Sequence, residues 1–140
     1  MRFWNVPNRG EMENNIDALL DSNILIYAMK GQEKYVEIIA SLGMTGISVL
    51  SHMELFIGVH STQEEGELIS ILREIVIVPL TEEIALAAVD SLKKQGHKSL
   101  RNARVVDFAI AHTALSLNVP LVTNNPKDFE SFEGLKLIVP

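Results

Sequence analysis

Cysteine is missing from all 140 residues. Disulfides and thiolate-held metals are thereby excluded, and a reducing cytoplasm is the expected compartment. Nor is there an apolar run near the roughly 18–20 residues that cross a bilayer, so no membrane association is expected. The opening stretch, "MRFWNVPNRGEMENN", has no apolar h-region and does not read as a secretory signal. Internal repeats and low-complexity linkers are absent too. Positive charge is scarce: 12 Lys and Arg against 18 Asp and Glu leave a net charge of −6. That argues against a protein that coats nucleic acid through bulk charge. It does not exclude an enzyme that reaches phosphates through a bound cation.

What is present suits one soluble globular domain, with 47% hydrophobic and 21% charged residues. Residues 1–15 show no clean period. They read as a loosely ordered N-terminal arm, or as an upstream start with Met12 the true beginning. From residue 16 to residue 140 short apolar runs alternate with helical patterns. "ALLDSN" predicts a strand, Ile24–Met29 a short helix stopped near Gly31, and Glu33–Leu42 an amphipathic helix before Gly43. "GISV" predicts a second strand, followed by a helix from about Ser51 to Val59. Thr62 and Glu65 have capping-box spacing, opening a helix to about Glu74. "IVIVPL" predicts a third strand, and Thr81 caps a long helix to Gln95. A helix from about Ala103 to Leu117, the strand "PLVT", a turn at Pro126–Glu130 and a last strand "LKLIV" complete the chain. This alternation predicts an α/β fold: a mainly parallel sheet of four to five strands with helices on both faces. In such sheets a cleft opens beyond the carboxyl ends of the strands.

Four acids fall near those ends. Asp21 closes the first apolar run in "LLDSNILIY". Glu54 and Asp107 lie on early turns of their helices, and Asp128 follows the fourth strand through "NNPKD". Each has a local explanation. Ser51 and Glu54 have capping-box spacing, and Asp107 and Asp128 suit the positive ends of helices. Asp21 is harder to explain locally, because an acid in a buried segment needs a partner. Two carboxylates about 5 Å apart repel by roughly 3 kcal/mol at an effective dielectric near 20. A cluster would therefore protonate, spread or recruit a cation. Oxygen ligands without paired histidines suit Mg²⁺ or Mn²⁺, and phosphodiester hydrolysis is the chemistry such an ion serves.

The blocks "LLDSNILIY", "ISVLSHMELFIGV", "VVDFAIAHTAL" and "LVTNNPKDFESFEGLKL" resemble, in order and spacing, those of PIN-domain ribonucleases, most closely the VapC-like toxins. The resemblance implies a single PIN-like domain that acts as an endoribonuclease dependent on Mg²⁺ or Mn²⁺. Asp21, Glu54 and Asp107 fall on the family's acids, as catalytic residues and metal ligands. Asn23 and Thr123 fall on its supporting polar positions. Where the family often has a fourth acid this chain has Asn125, so either Asn125 or Asp128 is the fourth ligand. The resemblance further implies RNA as substrate, a homodimer and a cognate antitoxin. Asn125 also keeps open an alternative, a catalytically impaired PIN fold that binds RNA or protein. A receiver-type signalling domain is a weaker rival, lacking the acidic pair it would need after the first strand.

"KKQGHKSLRNAR" holds five of the twelve Lys and Arg residues. Lys98, Arg101 and Arg104 in it are candidate RNA-backbone contacts, the alternative being a solvated loop. His52, His60, His97 and His112 lack paired ligand spacing and read as structural or surface groups.

Overall fold

The structure, a computed structural model, describes residues 15–95 and 102–140. The elements run β1 (Ala18–Leu20), α1 (Ser22–Met29), α2 (Glu33–Ser41), β2 (Thr45–Ser48), α3 (Val49–Ile57), α4 (Thr62–Leu72), β3 (Val76–Val78), α5 (Glu82–Gln95), α6 (Asn102–Leu117), β4 (Leu121–Val122), a 3₁₀ turn (Pro126–Asp128) and β5 (Leu137–Ile138). The five strands form one sheet in the order β3-β2-β1-β4-β5, and every pairing is parallel. The expected α/β class, the parallel sheet and the covered faces are all found.

Why the strands read as continuous apolar runs is plain from their burial. Side chains alternate across a strand, and here both sides meet helices. Leu19, Val76, Val78 and Leu121 pack with Ala88 and Leu92 of α5, Phe108 and Ile110 of α6, and Phe129 and Phe132. Ala18, Leu20, Ile47, Ile77 and Val122 face the other way. They meet Ile24 and Leu25 of α1, Leu55 of α3, and Leu68 and Leu72 of α4. With no face left for water, no polar alternation is needed.

Local chemistry shifts several boundaries. The first strand ends at Leu20, and α1 begins at Ser22 with Asp21 as its N-cap, two residues before the predicted start. α3 begins at Val49, capped by the Ser48 hydroxyl, which accepts from the Leu50 N–H at 3.2 Å. Ser51 and Glu54 therefore lie inside that helix and form no capping box. The next cap is Ser61, whose Oγ accepts from Glu64 N–H at 3.1 Å, one residue ahead of the predicted Thr62 and Glu65 pair. Thr81 caps α5 as expected, its hydroxyl taking the Ile84 N–H. Gly43 ends α2 and Asn118 ends α6, both in the left-handed region that closes helices. Met44 and Met53 stay largely exposed and do not fill the core, whereas Met29 packs against it. Residues 1–14 of the expected arm lie outside the described residues.

Gly46 in β2 shows how tight the layers are. A methyl group there would come within 2.9 Å of Ile16 Cδ1, 3.1 Å of the Val76 carbonyl oxygen and 3.3 Å of Val78 Cγ2. Gly46→Ala should therefore lower stability by about 1–3 kcal/mol through overpacking. Urea unfolding measures this directly, and an unchanged midpoint would show that Ile16 and β3 yield freely.

Candidate active site

The chain lays down β1, β2 and β3 outward in one direction, then returns to place β4 on the other side of β1. The strand order reverses between β1 and β4, so their carboxyl ends flank the crevice such sheets use for ligands. Asp21 is the first residue after β1, and Thr123 the first after β4. Asp21 N–H still donates to the Val122 carbonyl at 2.9 Å before its extended backbone turns into α1. The residue is only 8% exposed. Both carboxylate oxygens are used: Oδ1 accepts from Ser22 N–H at 2.9 Å, and Oδ2 from the Thr123 hydroxyl at 2.9 Å. Thr123 is fully buried, and its Oγ1 accepts in turn from the Asn125 N–H at 3.0 Å. Ser22 Oγ donates to Glu54 Oε2 at 3.3 Å, which joins α3 to the same network.

Three of the four acids of the sequence analysis have raised pKa values, and the charge of Asp128 acts on two of them. Asp107, half-buried on α6, has its pKa raised from 3.8 to about 6. Desolvation contributes most, followed by the charges of Asp128 and Asp21; Arg104 opposes the shift, and Glu54 adds to it. Burial is also the largest cause raising Asp21. The Thr123 and Ser22 hydrogen bonds pull it back, and Asp128 adds to the rise. Glu54, exposed at the rim, is raised first by partial desolvation, held back by the Ser22 bond and raised again by Asp21. Basic neighbours give little relief. Among the described residues the one salt bridge joins Lys94 to Asp90 at 3.0 Å on the outer surface. Arg104 leans over the Phe108 ring, 5.7 Å from its centroid.

The donor set is therefore hard oxygen, negatively charged and without a basic partner in contact. That chemistry fits Mg²⁺ or Mn²⁺. Among the described residues, however, no three such side chains close on one point as a ready cage. Unneutralised like charges hold one another apart. A Mg²⁺ ion also keeps several waters and takes one or two carboxylates directly, so a closed cage is not a requirement.

The other candidates fall as follows. Asn23 sits half-buried on the first turn of α1, outside the hydrogen-bond chain. Asn125 is exposed and enters through its backbone N–H, whereas Asp128 is the group whose charge reaches Asp21 and Asp107. Lys98 and Arg101 lie outside the described residues. His112 bonds through Nε2 to Ser91 Oγ at 2.6 Å and packs edge-on to Phe132, a structural role as expected. Sequence reasoning missed Ser22, which ties Asp21 to Glu54. Its one signal was a hydroxyl directly after the acid at a helix start. It also missed Tyr35, whose hydroxyl donates to Asn124 Oδ1 at 3.1 Å across 89 positions. No local pattern announces that bond.

Against known proteins, the PIN domain family model matches residues 18–135. Ribonuclease VapC1 of Haemophilus influenzae (strain R2866) is 33% identical over 130 residues, covering 84% of this chain and 93% of that one. Among solved structures, VapBC2 from Rickettsia felis, bound to a DNA fragment from the promoter, superposes with a TM-score of 0.76 at 26% identity. It covers 89% of this chain and 99% of that chain. A toxin–antitoxin complex from Klebsiella pneumoniae gives a TM-score of 0.72 at 25% identity, over 87% and 96%. A family match spanning most of the chain, on a parallel sheet whose order reverses at β1 and β4, leads to one conclusion: the chain belongs to the PIN-domain family.

Proposed function

We propose that this PIN domain is an endoribonuclease that works with a divalent ion, Mg²⁺ or Mn²⁺, and is the toxin of a toxin–antitoxin pair. The observation that carries the reading is the electrostatic coupling of Asp21, Glu54, Asp107 and Asp128 beyond the carboxyl ends of β1 and β4. The similarity to a VapC ribonuclease and to toxin–antitoxin complexes supports the substrate class and the antitoxin partner. A homodimer and a cytoplasmic setting follow from the same family reading.

Asp21, Glu54 and Asp107 are the residues that would hold the ion, with Asp128 rather than the exposed Asn125 as the fourth carboxylate. When bound, a divalent ion neutralises the scissile phosphate and makes water a better nucleophile. The protein's own contribution is placement. Thr123 and the Ser22 N–H fix both oxygens of Asp21, so the carboxylate faces the cleft without rotamer search. Ser22 Oγ brings Glu54 in from α3. Near pH 6 the Asp107 carboxyl is about half protonated, and a divalent ion held there would favour its ionised form. Arg104 stands beside Asp107 as a candidate phosphate contact at the cleft's edge.

A second reading, a PIN fold that binds RNA or a protein without cutting, is favoured by the neutral Asn125. Cleavage separates the two. Asp21→Asn and Asp107→Asn should each lower Mg²⁺- or Mn²⁺-dependent cleavage of total RNA by roughly a hundredfold or more, since each removes a ligand charge. Mapping new RNA 5′ ends after induced expression, with Asp107→Asn as control, reads this out. Equal end patterns from both proteins would leave the non-cutting reading standing.

Metal-free stability supplies an independent prediction. The raised pKa means the folded chain binds the Asp107 proton more tightly than the unfolded chain. The associated stability is complete below about pH 4 and lost as pH rises through about 6. With screening at a half-buried site allowed for, Asp107 alone contributes about 1 kcal/mol. Without divalent ions, the melting temperature should therefore fall between about pH 4 and about pH 7. Asp107→Asn should flatten the slope, and added Mn²⁺ should restore stability at pH 8. Identical slopes for parent and variant would remove Asp107 from the coupled group.

A further inference from the structure

The chain has two tyrosines, and the fold stacks them together. Tyr27 on α1 and Tyr35 on α2 have ring centroids 5.0 Å apart with planes tilted by 31°. Each ring has a lysine above it: Lys30 Nζ lies 5.8 Å from the Tyr27 centroid, and Lys34 Nζ 5.7 Å from that of Tyr35. Both tyrosines are half-buried, and both lysines are exposed. The pair adjoins the acidic cleft. Tyr35 hydroxyl bonds to Asn124, the next residue is Thr123, and the Thr123 hydroxyl bonds to Asp21. Among the described residues the Asn124 Nδ2 group is buried without an acceptor at the foot of the ring pair.

We propose that Tyr27 and Tyr35, with Lys30 and Lys34, form a platform beside the cleft that holds single-stranded RNA next to the bond to be cut, rings against bases and ammonium groups toward phosphates. The proposal rests on the ribonuclease reading and specifies how its substrate is held. Helix packing alone would account for two touching rings. It gives no reason for an ammonium over each, or for an amide left without an acceptor between rings and cleft. Stacking on aromatic rings with flanking cations is the way unpaired strands are gripped without sequence readout. The charge argument points the same way. The cleft is lined by acids, so a polyanion needs a cationic hold close to it. Glu33 and Glu37 share α2 with Lys34, which confines that hold to the ring pair itself.

Binding is measured with the full chain carrying Asp107→Asn, to silence cleavage, and a labelled single-stranded oligoribonucleotide of about ten nucleotides, within the span such sites cover. Tyr27→Leu and Tyr35→Leu should each weaken binding by roughly tenfold. Tyr35→Phe, which keeps the ring, should recover most of the loss. The exposed pair Lys30→Glu and Lys34→Glu should weaken binding and reduce its salt slope by roughly one to two. That pair decides the matter if a tyrosine variant fails to fold. A duplex of the same sequence should lose little in the tyrosine variants, because its bases are already stacked. Variants that bind the single strand like the parent overturn the platform, as does equal loss on duplex. Unchanged RNA binding with release of a co-purifying protein partner would assign the surface to that partner and overturn it too. The nuclease reading is judged separately, with the parent chain, Asp107 intact, and with the same tyrosine and lysine variants made in that parent. Loss of single-strand binding in the variants, with no RNA cut by that chain, keeps the platform and removes the nuclease. Cleavage by it, with variants that bind and cut normally, does the reverse.

Discussion

The Thr123 hydroxyl bonds to the Asp21 carboxylate across 102 positions of chain, at the point where the strand order of the sheet reverses. Much of the structure serves to make that contact possible. A buried carboxylate without donors costs several kcal/mol, so Asp21 is tolerable only with both oxygens satisfied. Its two donors come from opposite sides. Ser22 is local and follows from the turn into α1. Thr123 is remote and depends on β1 and β4 pairing with Leu20 opposite Val122. A slip of one residue in β4 would turn the hydroxyl to the other face of the sheet. The same slip would carry Leu121 and Val122 into the wrong core layers. Apolar burial on both faces therefore enforces the register that the polar site needs.

Once Asp21 is fixed, the remaining acids follow from the elements that pack around it. Glu54 reaches the site because α3 packs beside α1, and Asp107 because α6 covers the opposite face with Phe108 in the core. Their charges converge most on Asp107, whose pKa Asp128, Asp21 and Glu54 all raise. The group is thus held together by hydrophobic packing against its own repulsion. That explains an arrangement close enough for mutual coupling but not closed on a point. Such a site stores a preference for positive charge, available to whatever cation enters.

Legibility in the sequence followed the range of the interactions. Strand runs with both faces covered, helix stops at Gly43 and Asn118, and the Thr81 cap are local signals, and they placed the elements to within a few residues. The order of strands and helices was enough to give the parallel sheet. Starts of α1 and α3 were misplaced because Asp21 and Ser48 end a strand and cap a helix at once, so neither pattern owns them. Among the candidate acids only Asp21 stood out as a misfit of hydrophobicity; Glu54, Asp107 and Asp128 each had a local explanation and stood out by lying near strand ends. Ser22 did not, since a serine after an aspartate fits any helix start. The Tyr35–Asn124 bond was invisible because it joins two unremarkable positions through tertiary packing alone. Asn125 and Asp128 could be ranked only with burial known: the first is exposed, and the charge of the second reaches two of the other acids.

A net charge of −6 and a negative cleft look ill-suited to RNA until range is considered. At physiological ionic strength the field of a charge is largely screened beyond about 8 Å. Acids on the far helices therefore matter little to a strand lying in the cleft. What would matter is the local balance: the four carboxylates, the cation proposed for them, Arg104, and the lysines over the tyrosine rings. A divalent ion held by the carboxylates, as proposed, would turn their surroundings from repulsive to attractive for a phosphate, and only where the ion sits. On the proposed reading, strand and ion would be coupled, each making room for the other, and a chain acidic overall would hold RNA only along the short path where cation and rings adjoin.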